Sequence, residues 1–120
     1  SAERAIASQW MEWFLTTMST PLTLVFLNLV RTPKNERDMS AVQKSIGDTN
    51  KLWKILDAHL EGRDYVLGME PSIADIPLGC AVYRWNAMDV EHLPLHNITA
   101  WYERLQQREP FQTHVMLPVT

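Results

Sequence analysis

Apolar residues in this chain return every three or four positions, segment after segment, and nowhere alternate as a strand would. In the first segment Ile6, Trp10, Trp13, Phe14 and Thr17 recur at helical steps, and Leu22, Val25, Phe26, Leu29 and Val30 carry the stripe onward. Thr20-Pro21 reads as an N-cap with proline at the first helical position. The spacing therefore predicts one long helix with a kink or break near Pro21. Pro33 ends it, and the charged run Lys34-Asn35-Glu36-Arg37-Asp38 turns the chain. A second long helix is expected over 38–60, with Val42, Ile46, Thr49, Trp53, Leu56 and Leu60 on one face. His59 in its last turn suits the helix dipole, and Gly62 is a natural C-cap.

The stretch Pro71-Ser72-Ile73-Ala74-Asp75-Ile76 carries a helix start of its own. Ser72 can be the N-cap, its hydroxyl accepting from the Asp75 amide, while the Asp75 carboxylate reaches back to the Ser72 amide. Ile76 is spaced to pack on the ring of Pro71 as a hydrophobic staple. The helix so begun should reach about Ala87. Ile73, Ile76, Leu78, Cys80, Ala81 and Val82 make it apolar nearly all round, which predicts a central, buried position. Pro77 falls past the positions where a missing amide costs nothing, so one early helical bond should be lost. Residues 89–96 form a loop around Pro94. A fourth helix is expected from Asn97 or Thr99 to Arg108, with Ile98, Trp101, Tyr102 and Leu105 inward. A short last segment runs from Phe111 to Met116. The reading is an all-α fold in a single domain, 1–120.

Composition narrows the function. The chain has 120 residues, 46% of them apolar, which suits one packed core. The net charge of −3 and the lack of any basic run argue against nucleic acid and against an anionic membrane surface. The longest apolar run, Leu22 to Val30, is interrupted by Thr23 and Asn28 and falls short of the ~20 residues that span a bilayer. The lone cysteine, Cys80, excludes an internal disulfide and suits a reducing cytoplasm. The chain opens Ser-Ala-Glu with no initiator Met and no signal-peptide pattern. A piece of a longer protein is the expectation.

Catalytic constellations are thin. Ser72 and Asp75 are better read as a cap than as a nucleophile and its partner, because no histidine stands in a relation to them that suggests a triad. His92 and His96 have metal-ligand spacing, but Pro94 lies between them and no glutamate completes a zinc-protease motif. They read as loop histidines, and no metal is expected. Arg63, Arg84 and Arg108 read as surface or ion-pair residues.

A family resemblance joins these features. The run from Leu60 to Gly68, followed by Ser72-Ile73-Ala74-Asp75-Ile76, resembles the centre of the helical C-terminal domain of glutathione transferases. Trp10-Met11-Glu12-Trp13, then Phe26 and Leu29-Val30-Arg31-Thr32-Pro33, look like the first helix of that domain in a bacterial group. Tyr83-Arg84-Trp85, Trp101-Tyr102-Glu103-Arg104-Leu105 and the tail Phe111, His114-Val115-Met116 and Pro118 are similar to its later elements. Arg108-Glu109-Pro110 departs from the pattern, where Arg more often stands directly before Pro.

The resemblance implies an orthogonal bundle of about five helices. It implies a partner, a thioredoxin-like N-terminal domain that holds glutathione as co-substrate and activates its thiol, so no catalytic residue is expected in this chain. The expected reaction of the whole protein is conjugation of glutathione to a small hydrophobic electrophile, or a related reduction or isomerisation. Trp10, Trp13 and Thr17 would border the second-substrate pocket, where a flat apolar wall suits aromatic electrophiles. A homodimer in the cytoplasm is implied as well. The competing expectation is a stand-alone helical interaction module without catalysis.

Overall fold

The computed structural model describes residues 2–108 and residue 111, and among these the ordered elements are helical apart from one two-residue bridge. The first of them is a continuous rod. It comprises α1 (Ala2–Trp13), a π-helical turn (Phe14–Met18), α2 (Ser19–Phe26) and a second π turn (Leu27–Arg31). After a single 3-10 turn (Lys34–Glu36), three further α-helices follow among the described residues: α3 (Met39–Leu60), α4 (Asp75–Ala87) and α5 (His96–Gln106). The expected last segment lies outside the described residues, except Phe111, which is buried.

The rod corrects the expected break. Thr20 is not an N-cap, because the helix runs through it and Pro21 sits inside α2. A proline in a helix interior clashes with the carbonyl four residues back. Here the turn before it is widened, the Ser19 amide donating to the Phe14 carbonyl five residues back. That wider turn lets the rod pass Pro21 unbroken. The rod ends at Thr32, whose backbone is extended. Arg37 donates from Nε to the Thr32 carbonyl at 3.0 Å and from Nη2 to the Leu29 carbonyl at 3.1 Å, closing the exposed end. Asp38 then caps α3, its carboxylate accepting from the Ala41 amide at 3.1 Å.

Uninterrupted, the segment Arg4–Arg31 is long and apolar enough to cross a membrane by length and composition, which the broken run in the sequence did not suggest. Met18, Leu22 and Val25 nonetheless put one stripe of it into the core, and α2 lies along α3.

Helix α3 buries Val42, Ser45, Thr49, Trp53, Leu56 and Leu60, close to the expected stripe. Gly62 follows its end with φ of +76°, a conformation that glycine adopts without strain. The chain then makes a tight turn in which Tyr65 and Gly68 exchange both backbone hydrogen bonds, at 2.7 and 3.0 Å.

Two expectations for α4 change. The regular helix starts at Asp75, not Ser72, so Pro77 is its third residue. Its missing amide is one of those a helix start leaves unpaired anyway, and no bond is lost. Nor is α4 apolar on all sides. It buries Leu78, Gly79, Ala81, Val82 and Trp85, while Ile76 is 45% exposed and Ile73, before the helix, 56% exposed. The expected staple partner of Pro71 is therefore nearly half in solvent.

Helix α5 begins at His96, earlier than expected, and is capped from another element. Asp57 of α3 accepts from the Ile98 amide at 2.9 Å, and its carbonyl accepts from the Asn97 side chain at 3.1 Å. Arg104 Nε ties α5 to the Asp64 carbonyl at 2.9 Å.

Candidate functional site

Trp10 and Trp13, three apart on α1, share a face of the helix. Their rings meet edge to face, 5.3 Å apart at 81°. Both are half-buried, one side on the core, the other lining a concavity of about 300 Å³ with Gln9 and Ile55. Ile55 is 52% exposed. Thr17 does not enter that lining. It is exposed within the π turn, its hydroxyl 3.5 Å from that of Thr16, which bonds the Glu12 carbonyl. An i→i+5 turn advances less per residue than an α-helix, so the threonine one turn on falls out of line with the tryptophans.

His59 is a residue that sequence reasoning placed only by the helix dipole. Its ring lies 4.3 Å from that of Trp10, and its Nε2 hydrogen-bonds the Val66 carbonyl at 2.6 Å. The wall is thus braced by α3 and by the turn after it.

Asp75 is fully buried and accepts four hydrogen bonds. Oδ2 takes the Ser72 amide at 2.6 Å and the Ser72 hydroxyl at 3.0 Å. Oδ1 takes the Val66 amide at 3.0 Å and the Trp101 indole N–H at 2.8 Å. The reverse half differs from the expected geometry. The Ser72 hydroxyl accepts from the Ala74 amide, while the Asp75 amide donates to the Ser72 carbonyl. One carboxylate therefore joins the 61–74 segment, α4 and α5. Trp101, 26 positions away, carries no local signal of this role.

The remaining candidates separate. Cys80 is half-buried in α4, and burial pushes its thiol up, against a smaller opposing effect of Arg84. That is the reverse of the lowered thiol pKa that a nucleophilic cysteine needs. His92 is exposed and packs edge-on to Trp85 at 6.1 Å. Among the described residues no group of three or more His, Cys, Asp or Glu could hold a metal. Arg63 bonds the His59 carbonyl, and Arg84 lies 5.9 Å over the Phe26 ring.

Tyr102 is pushed up to about 12, first by burial and then by the neighbouring Tyr83 and Cys80. A folded value above the ordinary one favours the protonated phenol in the native state. Its contribution is full below pH 10 and is lost as pH rises towards 12. The urea midpoint should fall across that window, and less in Tyr102→Phe than in the native chain. Equal falls would remove Tyr102 as the cause.

An all-helical bundle with a half-open aromatic wall and a buried capping aspartate is the class of structure found here. The sequence model for the glutathione S-transferase C-terminal domain matches residues 7–109, and the chain belongs to that family. It is 33% identical over 119 residues to glutathione S-transferase GstB of Escherichia coli, covering 99% of this chain and 57% of that protein. It superposes on the theta class glutathione S-transferase of Xanthomonas axonopodis pv. citri with a TM-score of 0.95 at 35% identity. That match covers 99% of this chain and 62% of the Xanthomonas chain. The Xanthomonas protein has also been solved with glutathione bound. The chain spans rather more than half the length of these relatives.

Proposed function

We propose that this domain supplies the electrophile side of a glutathione transferase, with Trp10 and Trp13 as the wall on which a small aromatic substrate lies. The observation that carries the reading is the 5.3 Å tryptophan pair, seated on the core yet open along the concavity shared with Gln9 and Ile55. Thr17, exposed one turn further along the rod, is the third residue offered to the substrate in this reading, though it lies outside the concavity's lining. Glutathione is the co-substrate, held by a thioredoxin-like domain of the same protein. Its thiolate attacks the electrophile, the new carbon–sulfur bond forms, and the leaving group departs with the electron pair. The domain's own part is to bind and orient the electrophile.

The exposed apolar residues Ile6, Leu15 and Leu27 support a second role, since a rod this apolar is suited to being covered by the N-terminal domain and by a partner subunit. A cytoplasmic homodimer is the proposed assembly.

The test uses the protein carrying both domains and 1-chloro-2,4-dinitrobenzene. Stacking on one indole contributes ~0.5–1.5 kcal/mol, so Trp13→Ala should raise the KM for the aryl halide roughly three- to tenfold. The KM for glutathione should stay unchanged. The domain alone should give no turnover above the uncatalysed rate. Unchanged constants for both substrates would instead favour a helical docking module.

A further inference from the structure

Trp10 lines the concavity that it shares with Gln9, Trp13 and Ile55, and its ring is only half-buried. A tryptophan side chain turns about two torsions, and the second has broad minima. Left to itself, a half-exposed indole can present its face to the opening or fold away from it. The shape of the concavity therefore depends on what holds this one ring.

Two neighbours hold it. Trp13 meets it edge to face at 5.3 Å, but Trp13 is itself half-buried and lines the same opening. The other neighbour is His59, whose ring centre lies 4.3 Å from that of Trp10, with the planes at 45°. Rings this close are in van der Waals contact. His59 does not line the concavity, whereas Ile55, one turn earlier on the same face of α3, does. Helix α3 thus gives an apolar side chain to the opening and, one turn on, a stop against the Trp10 ring.

The stop is itself fixed. His59 Nε2 lies 2.6 Å from the Val66 carbonyl oxygen, which only accepts, so Nε2 carries a hydrogen and donates it. Val66 is fully buried, which makes its carbonyl a firm anchor. The imidazole is tied at both ends, to α3 through its own backbone and to Val66 through Nε2.

We infer that His59 is a positioning residue. By keeping Trp10 in one orientation, it sets the preference of the wall for flat aromatic groups over small alkyl ones. This rests on the transferase reading above. A flat group gains from an indole face that is already presented, because binding then need not order the side chain first. A methyl group covers too little of that face to gain from its being held. His59 touches neither substrate and acts through Trp10 alone.

The test uses the protein carrying both domains and two conjugates, S-(2,4-dinitrophenyl)glutathione and S-methylglutathione. They share the glutathionyl part, so the ratio of their Kd values reports the wall. His59→Gln is the main variant, because its side-chain amide can still donate to the Val66 carbonyl while the ring is gone. His59→Phe is the second, keeping a ring against Trp10 without the donation. The tryptophans carry a fluorine label, and the Trp10 resonance is identified by its loss in Trp10→Phe.

The native protein should bind the dinitrophenyl conjugate at least about fivefold more tightly than the methyl one. In His59→Gln that preference should fall roughly threefold, with the Kd of S-methylglutathione unchanged. The Trp10 resonance should shift and narrow more than that of any other tryptophan, as expected of a ring set free. His59→Phe should keep more of the preference than His59→Gln. If either the preference or the Trp10 resonance is unchanged in His59→Gln, the inference is overturned. Equal weakening of both conjugates overturns it too, since His59 would then serve the fold alone. A preference in His59→Phe no higher than in His59→Gln would show that the ring contact is not what holds Trp10. In all these cases Trp13→Ala still lowers the preference if the transferase reading is right. Native protein that binds the two conjugates alike would instead remove that reading, and this inference with it.

Discussion

Asp75→Ala should unfold at a far lower urea concentration than the native chain. The carboxylate is fully buried and its four bonds reach three parts of the fold. Alanine leaves the Val66 amide and the Trp101 indole N–H without an acceptor, and both residues are 0% exposed, so water cannot take its place. Each stranded buried donor costs about 1–3 kcal/mol, and the lost cap adds ~1 kcal/mol. These terms are not additive, and a total loss of about 3–5 kcal/mol is expected against a domain stability of roughly 5–15 kcal/mol. Asp75→Asn keeps one accepting oxygen. If that oxygen serves Val66 and Trp101, the amide nitrogen faces the Ser72 amide donor, and the Ser72 hydroxyl can turn to accept from it. The asparagine variant should therefore lose about half as much. Exposed Lys51→Ala serves as the control. If Asp75→Ala unfolds at the control's midpoint, the carboxylate is not the hub described.

Gly79→Ala should also destabilise, against the usual direction. In a helix interior this change normally gains about 0.5–1 kcal/mol by lowering the entropy of the unfolded chain. At this position a methyl group would lie 2.6 Å from one Phe111 ring carbon and 2.9 Å from Leu105 Cδ1. Phe111 is 1% exposed and its ring is rigid, so it cannot yield as a flexible chain end would. Overpacking of this kind costs ~1–3 kcal/mol, which outweighs the gain in propensity. A net loss of about 1–2 kcal/mol is expected in the urea midpoint. The double variant Gly79→Ala with Phe111→Leu should show coupling, the pair costing less than the sum of its parts. A stabilised Gly79→Ala would mean that α4 and Phe111 do not approach as closely as described.

These two sites differ in how far the sequence exposes them. The Ser72–Asp75 pairing is legible because both partners lie within one turn, and local spacing fixes which amide a carboxylate can reach. Nothing local names Val66 or Trp101 as its other partners, since those contacts exist only once α5 has packed. Gly79 carries a weak signal, a glycine inside an apolar helical run, and only the approach of Phe111 explains it. The stripe of α3 is legible because one face is buried along its whole length. Ile73 and Ile76 misled because hydrophobicity alone does not say whether a helix is surrounded or merely flanked. The course of the helix through Pro21 and the offset of Thr17 from the tryptophan concavity have one shared reason. A π turn has no residue signature, and it both absorbs the proline and shifts the phase of the face beyond it. Asp57 was invisible as the cap of α5 because it stands some forty residues earlier in the chain.

The brace from Trp10 through His59 to the Val66 carbonyl ends one residue's breadth from the Val66 amide that Asp75 holds. The same peptide segment thus answers to the aromatic wall on one side and to the folding hub on the other. If the wall serves as the proposed electrophile pocket, substrate preference and foldability are then not independent dials. A library that varies only the tryptophans leaves this linkage intact and explores shape on a fixed frame. One that varies His59 or the 61–74 segment moves the frame itself. Its members should lose fitness in expression before they gain it in selectivity.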